Sequence, residues 1–268
     1  MKYALLLLTY FYLISLNSQT VLKSDGPGNT YELINSVLAP SYDVIETPDC
    51  AHNKFGRHIT EEWDEELNSF VFVFHSHINE DNDRCNKFDR QRTEIKTYKQ
   101  STDSLLGTQG ETVTYKWKFK LDKDFQPSNS FTHIHQIKAV GGSEDAMPSV
   151  TFTLRKSKVD KFQVRFASNM VQSDLISLPL DEFKGIWVQV YEQITYGDKG
   201  KYELKITKVD NNKTIVSYSN DSLRMWKTNA EFLRPKWGIY RSLKNALNLK
   251  DEKIKFADFY IKEITKKQ

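Results

Sequence analysis

The sequence predicts an all-β protein, a sandwich or jelly roll built from two antiparallel sheets. Strict alternation of apolar and polar residues recurs in short runs, as in Tyr115-Trp117-Phe119-Leu121 with lysines between them. That is the period-two signature of a strand with one buried face. Turn-forming clusters such as Gly141-Gly142, Gly197-Asp198-Lys199-Gly200 and Asp210-Asn211-Asn212 separate the runs. No apolar stripe at helical spacing is longer than about three turns, which excludes helical bundles and βαβ folds. A chain of 268 residues without a repeat or linker suits one large β domain.

The elements follow in chain order. Lys2, the run Ala4 to Leu16 and the small residues Ser15 and Ser18 make a secretory leader over residues 1–18, too short for the ~20 residues of a membrane span. A single domain over 19–268 is therefore expected, secreted, and free of the membrane once the leader is cleaved. Residues 19–69 mix Pro, Gly and Asn and predict coil with one short helix. Phe70, Phe72 and Phe74 then alternate with Val71, Val73 and His75 as a strand. Further strands are predicted over 115–121, 150–154, 162–166, 187–194, 202–206 and 256–264, with short helical turns at Leu180–Phe183 and Leu223–Trp226.

Composition narrows the function. With 16 Phe, 13 Tyr and 5 Trp the chain carries too much buriable surface to be disordered. Lys+Arg number 38 against 35 Asp+Glu, a net +3, too near neutral for nucleic-acid binding by bulk charge. Two cysteines exclude a multi-cysteine zinc module. In an oxidising compartment Cys50 and Cys85 are expected to pair, a bridge worth about 3–4 kcal/mol on the chain-entropy model. Asn212-Lys-Thr and Asn220-Asp-Ser are glycosylation acceptor sequons.

Three strands are polar where structure alone does not require it. In Arg92-Thr-Glu94-Ile-Lys96, period two puts Arg92, Glu94 and Lys96 on one face. In Thr132-His-Ile-His-Gln136-Ile-Lys138 it puts Gln136 and Lys138 on one face, with His133 and His135 on the other. In Lys236-Trp-Gly238-Ile-Tyr240-Arg-Ser242, Lys236 and Tyr240 share a face, with Trp237 and Ile239 behind. Three such faces in one sandwich predict a polar groove.

These segments resemble the motif set of jelly-roll polysaccharide lyases of the alginate-lyase and glucuronan-lyase type. Such enzymes carry R-x-E-[LVI]-[RK], Q-[IV]-H and K-x-G-x-Y strands in that order, and the pattern here covers roughly Phe70 to Ile264. One departure stands out: Lys138 occupies the position of the motif histidine. The resemblance implies a β-jelly-roll (concanavalin A-like) sandwich that cleaves an anionic 4-linked uronic-acid polysaccharide by β-elimination, as a monomer and without a cofactor. It implies Tyr240 as base or acid and Gln136 with Arg92 as the clamp that neutralises the substrate carboxylate. His77 is the candidate for a second proton-transfer residue, because His75 and His77 face away from the phenylalanines and could reach the same groove. Glu94, Lys96, His135, Lys138 and Lys236 are candidate substrate-binding residues.

Three other readings compete. The replacement of the motif histidine by Lys138 fits a non-catalytic carbohydrate-binding or cell-wall protein on the same sandwich. Glu62-Trp-Asp64-Glu-Glu66 has the E-x-D-x-E spacing of some sandwich glycoside hydrolases, yet it precedes the first convincing strand and reads as a solvated acidic stretch. The His-x-His pairs at 75/77 and 133/135 suit zinc or copper, but no further ligand pattern accompanies them, so no metal is expected there. A structural calcium on the acidic loop Glu80-Asp81-Asn82-Asp83 is the one metal left open.

Overall fold

The computed structural model describes residues 19–265. The expected leader, 1–18, lies outside them. Within them the chain forms β1 (Gln19–Leu22), helix α1 (Thr30–Leu38), β2 (Ile45–Glu46), β3 (Ile59–Asp64), β4 (Ser69–Ser76) and β5 (Arg90–Lys96). There follow β6 (Thr112–Leu121), β7 (Thr132–Val140), β8 (Val150–Arg155), β9 (Lys161–Phe166) and β10 (Ser173–Pro179). The last five are β11 (Trp187–Thr195), β12 (Gly200–Lys208), β13 (Thr214–Leu223), β14 (Phe232–Ser242) and β15 (Glu252–Thr265). One sheet runs β13-β12-β11-β6-β15-β4-β3 with β1 added beside β15; the other runs β10-β9-β8-β7-β14-β5-β2. Every pairing is antiparallel. This is the jelly-roll sandwich that the alternation predicts. Among the described residues no helix is long and apolar enough to cross a membrane.

The core between the sheets is what the alternation supplies. Phe72, Phe74, Trp117 and Phe119 point inward from one sheet and meet Phe152, Phe162, Trp237 and Ile239 from the other, all fully buried or nearly so. Each buried aromatic of this size is worth several kcal/mol of lost apolar exposure, so the sandwich needs no ligand to hold its two sheets together.

Residues 19–69 hold more than coil and a helix. β1, β2 and β3 all fall there, and β3 contains Glu62 and Asp64. Both carboxylates face outward from the eight-stranded sheet and are held by Lys255, at 2.7 Å and 2.9 Å, while Glu66 pairs with Lys120. They are neutralised on the far side of the sandwich from the polar strands, which removes the geometry a hydrolase pair would need. Cys50 and Cys85 are joined in a disulfide.

Sheet order decides where the site lies. β14 runs between β5 and β7, so the three polar strands lie side by side. Register places Tyr240 opposite both Arg92 and His133, Gly238 opposite Glu94, and Lys236 opposite both Lys96 and Gln136.

Candidate active site

The outward face of β5, β14 and β7 is a charged floor. Arg92 spends its donors on carboxylates: Nε and Nη2 bond Asp83 at 2.8 Å and 3.1 Å, and Nη1 bonds Glu94 and Glu46. Lys236 sits between Glu46 and Glu94, Lys96 bonds Glu46 at 2.7 Å, and Arg84 bonds Glu46 and Asp83 at 2.9 Å each. Four cations thus share three carboxylates. Burial alone would drive Glu46 toward its neutral acid, but Lys236, Arg92 and Lys96 outweigh it and hold the carboxyl far below its usual range. Burial also opposes the charge on Arg92, and Glu94, Asp83 and Glu46 overcome it and push its pKa up.

Tyr240 lies on this floor, half-buried. The Arg92 guanidinium stacks 3.7 Å from its ring centroid, and Arg90 donates to its phenol oxygen at 2.9 Å. Two cations so placed put positive charge against both the ring face and the hydroxyl. Across the register, the His133 ring centroid is 5.9 Å from that of Tyr240, and Phe131 stacks on the histidine at 4.7 Å. Burial, with Arg155 and Arg92 nearby, holds the His133 pKa down to about 3, so the imidazole is neutral throughout the physiological range. Gln136 donates its amide to Glu94 at 2.5 Å. Lys138 reaches the carbonyl of Asp145, and burial together with Lys236 and Arg234 lowers its pKa to about 8.

Around these groups the floor is left short of partners. Nδ1 of His133, Nε of Arg155, and both Nε and Nη1 of Arg234 are buried without a hydrogen-bond partner. Buried donors in that state cost roughly 1–3 kcal/mol each, and a bound anion or hydroxyl would recover it.

A family model described as polysaccharide lyase matches residues 73–265. The chain belongs to the polysaccharide lyase family. Among solved structures, a PL-14 alginate lyase from Aplysia kurodai is 14% identical with a TM-score of 0.58, covering 90% of this chain and 97% of that one. The endo-β-1,4-glucuronan lyase of the fungus Trichoderma reesei is 13% identical with a TM-score of 0.55, over 77% and 87% of the two chains. A family 7 alginate lyase solved with bound substrate is 15% identical with a TM-score of 0.56, over 86% and 99%. At such identities these neighbours show the jelly-roll fold. No curated protein sequence matches the chain.

In this lyase the structure brings Tyr240, Gln136, Arg92, Glu94, Lys96, Lys138 and Lys236 onto one face, and it corrects several expectations. His135 is not in the groove. It is fully buried between the sheets, with Nε2 2.9 Å from Glu192 and its ring against Trp117, Phe152 and Trp237. His133 takes the groove position instead, because β7 and β14 each carry a register shift at this point. The shift lets Ile134 and His135 both turn inward, and the period-two count that put His133 behind fails there. Gly238 makes it possible, with φ +144° and no room for a Cβ, which would lie 2.0 Å from the Thr93 carbonyl oxygen. A glycine inside a strand was the signal for the bulge.

His77 is also elsewhere: its ring packs against Phe55, His52 and His58 at the β4–β5 loop, with no contact to Tyr240 among the described residues. Arg92 commits four of its five N–H donors to Asp83, Glu46 and Glu94, and Glu94 and Lys236 are buried within the ion network, so all three act beneath the groove. In the acidic loop Asp81 faces histidines and Asp83 faces Arg92 and Arg84. Arg90 is two residues before Arg92 and Arg234 two before Lys236, so both are readable by the same alternation; Arg155, at the end of an otherwise ordinary strand, is not.

Proposed function

We propose that this lyase cleaves a 4-linked uronic-acid polysaccharide by β-elimination, with Tyr240 as the proton-transfer residue. The observation that carries this reading is a phenol flanked by two guanidinium groups on a floor of partnerless cationic donors. The C5 proton of a uronate is barely acidic while the neighbouring carboxylate is charged, so the site must stabilise negative charge where it develops. Arg234, Arg155 and Lys138 offer positive charge, and Gln136 and neutral His133 offer donors that do not compete for the proton.

The Tyr240 phenolate takes the C5 proton. The C5–H electrons form the C4=C5 double bond, the C4–O bond breaks, and the phenol returns a proton to the departing glycosidic oxygen. The product is a 4,5-unsaturated uronate, which absorbs in the ultraviolet where a hydrolysis product does not. Incubation with glucuronan, alginate and glycosaminoglycans should give rising ultraviolet absorbance on at least one of them. New reducing ends without absorbance, or binding without product, overturns the reading. Tyr240→Phe should lower kcat about 10²-fold or more, since a positioned proton-transfer group contributes on that order.

The same reading includes secretion as a monomeric glycoprotein. The leader pattern and the Cys50–Cys85 bridge support secretion, and Asn212 is exposed on its turn while Asn220 is half-buried on β13.

A further inference from the structure

We propose that His52, His58, His77 and Asp81 form a closed site for a zinc-class divalent cation. Their ligand atoms lie within 4.8 Å of one another. His52 Nδ1 and His58 Nε2 are 2.9 Å and 3.0 Å from Asp81 Oδ1, and His77 Nδ1 is 3.2 Å from Oδ2. Donors on a tetrahedral ion with bonds of about 2.0–2.1 Å stand about 3.3 Å apart, close to these spacings. Three imidazoles and one carboxylate fill all four positions, the pattern of a structural ion rather than one that opens a position to substrate.

The surroundings are those of a ligand set. Asp49 Oδ1 accepts from Nδ1 of His58 at 2.7 Å, which leaves Nε2 as the lone pair aimed at the site. Tyr31 in turn donates to Asp49 Oδ2 at 2.7 Å. On the other side Glu80 lies 4.0 Å from Nε2 of His52. Phe55 covers the group, its ring centroid 4.2 Å from His77 and 4.9 Å from His58. Without an ion, three imidazoles must each donate a proton to a single carboxylate.

Two loops supply these residues, and the Cys50–Cys85 bridge ties the same two loops together. His52 and His58 come from the segment before β3, His77 and Asp81 from the segment between β4 and β5. The second loop goes on to Asp83, which holds Arg92 beneath Tyr240. The ion would therefore anchor the loop that braces the groove floor.

The test is metal binding by the untagged full chain, dialysed against a chelator and titrated with Zn²⁺ against a chromophoric competitor. One equivalent should bind, and Co²⁺ in its place should show the intense visible absorption of a tetrahedral site. His52→Ala and His77→Ala, both at half-buried positions, should each weaken binding by about 100-fold or more, and His75→Ala should leave it unchanged. Circular dichroism verifies that each variant is folded. Failure of the folded parent chain to bind Zn²⁺, or one equivalent retained in both ligand variants, overturns the proposal.

Discussion

Two histidines separated by one residue do opposite jobs in this chain. His133 faces the groove beside Tyr240, whereas His135 is sealed in the core against Glu192. His133→Ala should therefore lower kcat about 10²-fold with little loss of stability. His135→Ala should cost about 3 kcal/mol in urea denaturation, because it empties a fully buried ring position and takes one partner from the Glu192 carboxylate, which keeps Tyr202 at 2.8 Å. Lys138 gives a pH signature. Its pKa is lowered to about 8, so its charge is present below that pH and lost above it. If that charge holds the substrate carboxylate, kcat/KM falls as pH rises through about 8, and Lys138→Arg carries the plateau to higher pH. His133, neutral above about 3, should add no inflection between pH 5 and 8. Residue identities at the groove were largely legible from three motifs. Their partners were not, since Glu46 and Asp83, which occupy Arg92, come from a two-residue strand and a loop.

At the level of elements, the bulge shared by β7 and β14 builds the site, and Gly238 permits it. Gly238→Ala puts a Cβ against the Thr93 carbonyl at a φ of +144°, so the strand must shift. Loss of about 2 kcal/mol or more and a drop in kcat of about 10²-fold are expected, read by denaturation and by product absorbance. The same scale explains which strands could be read. Strands flanked on both sides all betray themselves by alternation. Those that escape it, β1, β2, β3, β10 and β13, have a single neighbour in their sheets. β10 is almost wholly exposed or half-exposed, and β13 buries only Val216. An edge strand can be mostly wet on both faces, so its sequence has no reason to alternate.

For the whole molecule, near-neutral charge proves to be an average over segregated surfaces. Lys116, Lys118 and Lys120 point outward from one sheet, while the groove on the other combines a compensated ion network with surplus arginines. Global stability rests on the aromatic core, with the bridge between two loops as a supplement. Its 35-residue separation corresponds to about 4 kcal/mol on the chain-entropy model. Replacing both cysteines by serine should thus lower Tm by about 10 °C, checked by calorimetry.

The ion network beneath the groove restricts how this chain can change over generations. Glu46, Glu94 and Asp83 answer Arg92, Lys96, Lys236 and Arg84 from two strand neighbours and a loop. Deleting one of the buried carboxylates leaves the buried cations around it uncompensated, at a cost of several kcal/mol, more than a marginally stable domain can lose repeatedly. Substitutions there must arrive in matched pairs, Glu46 together with Lys96 for example, and such pairs will be strongly epistatic. Arg155 and Arg234, at the margins of the groove, answer no carboxylate and carry no such constraint. Specificity for a new sugar can therefore evolve one wall residue at a time over a floor that stays locked.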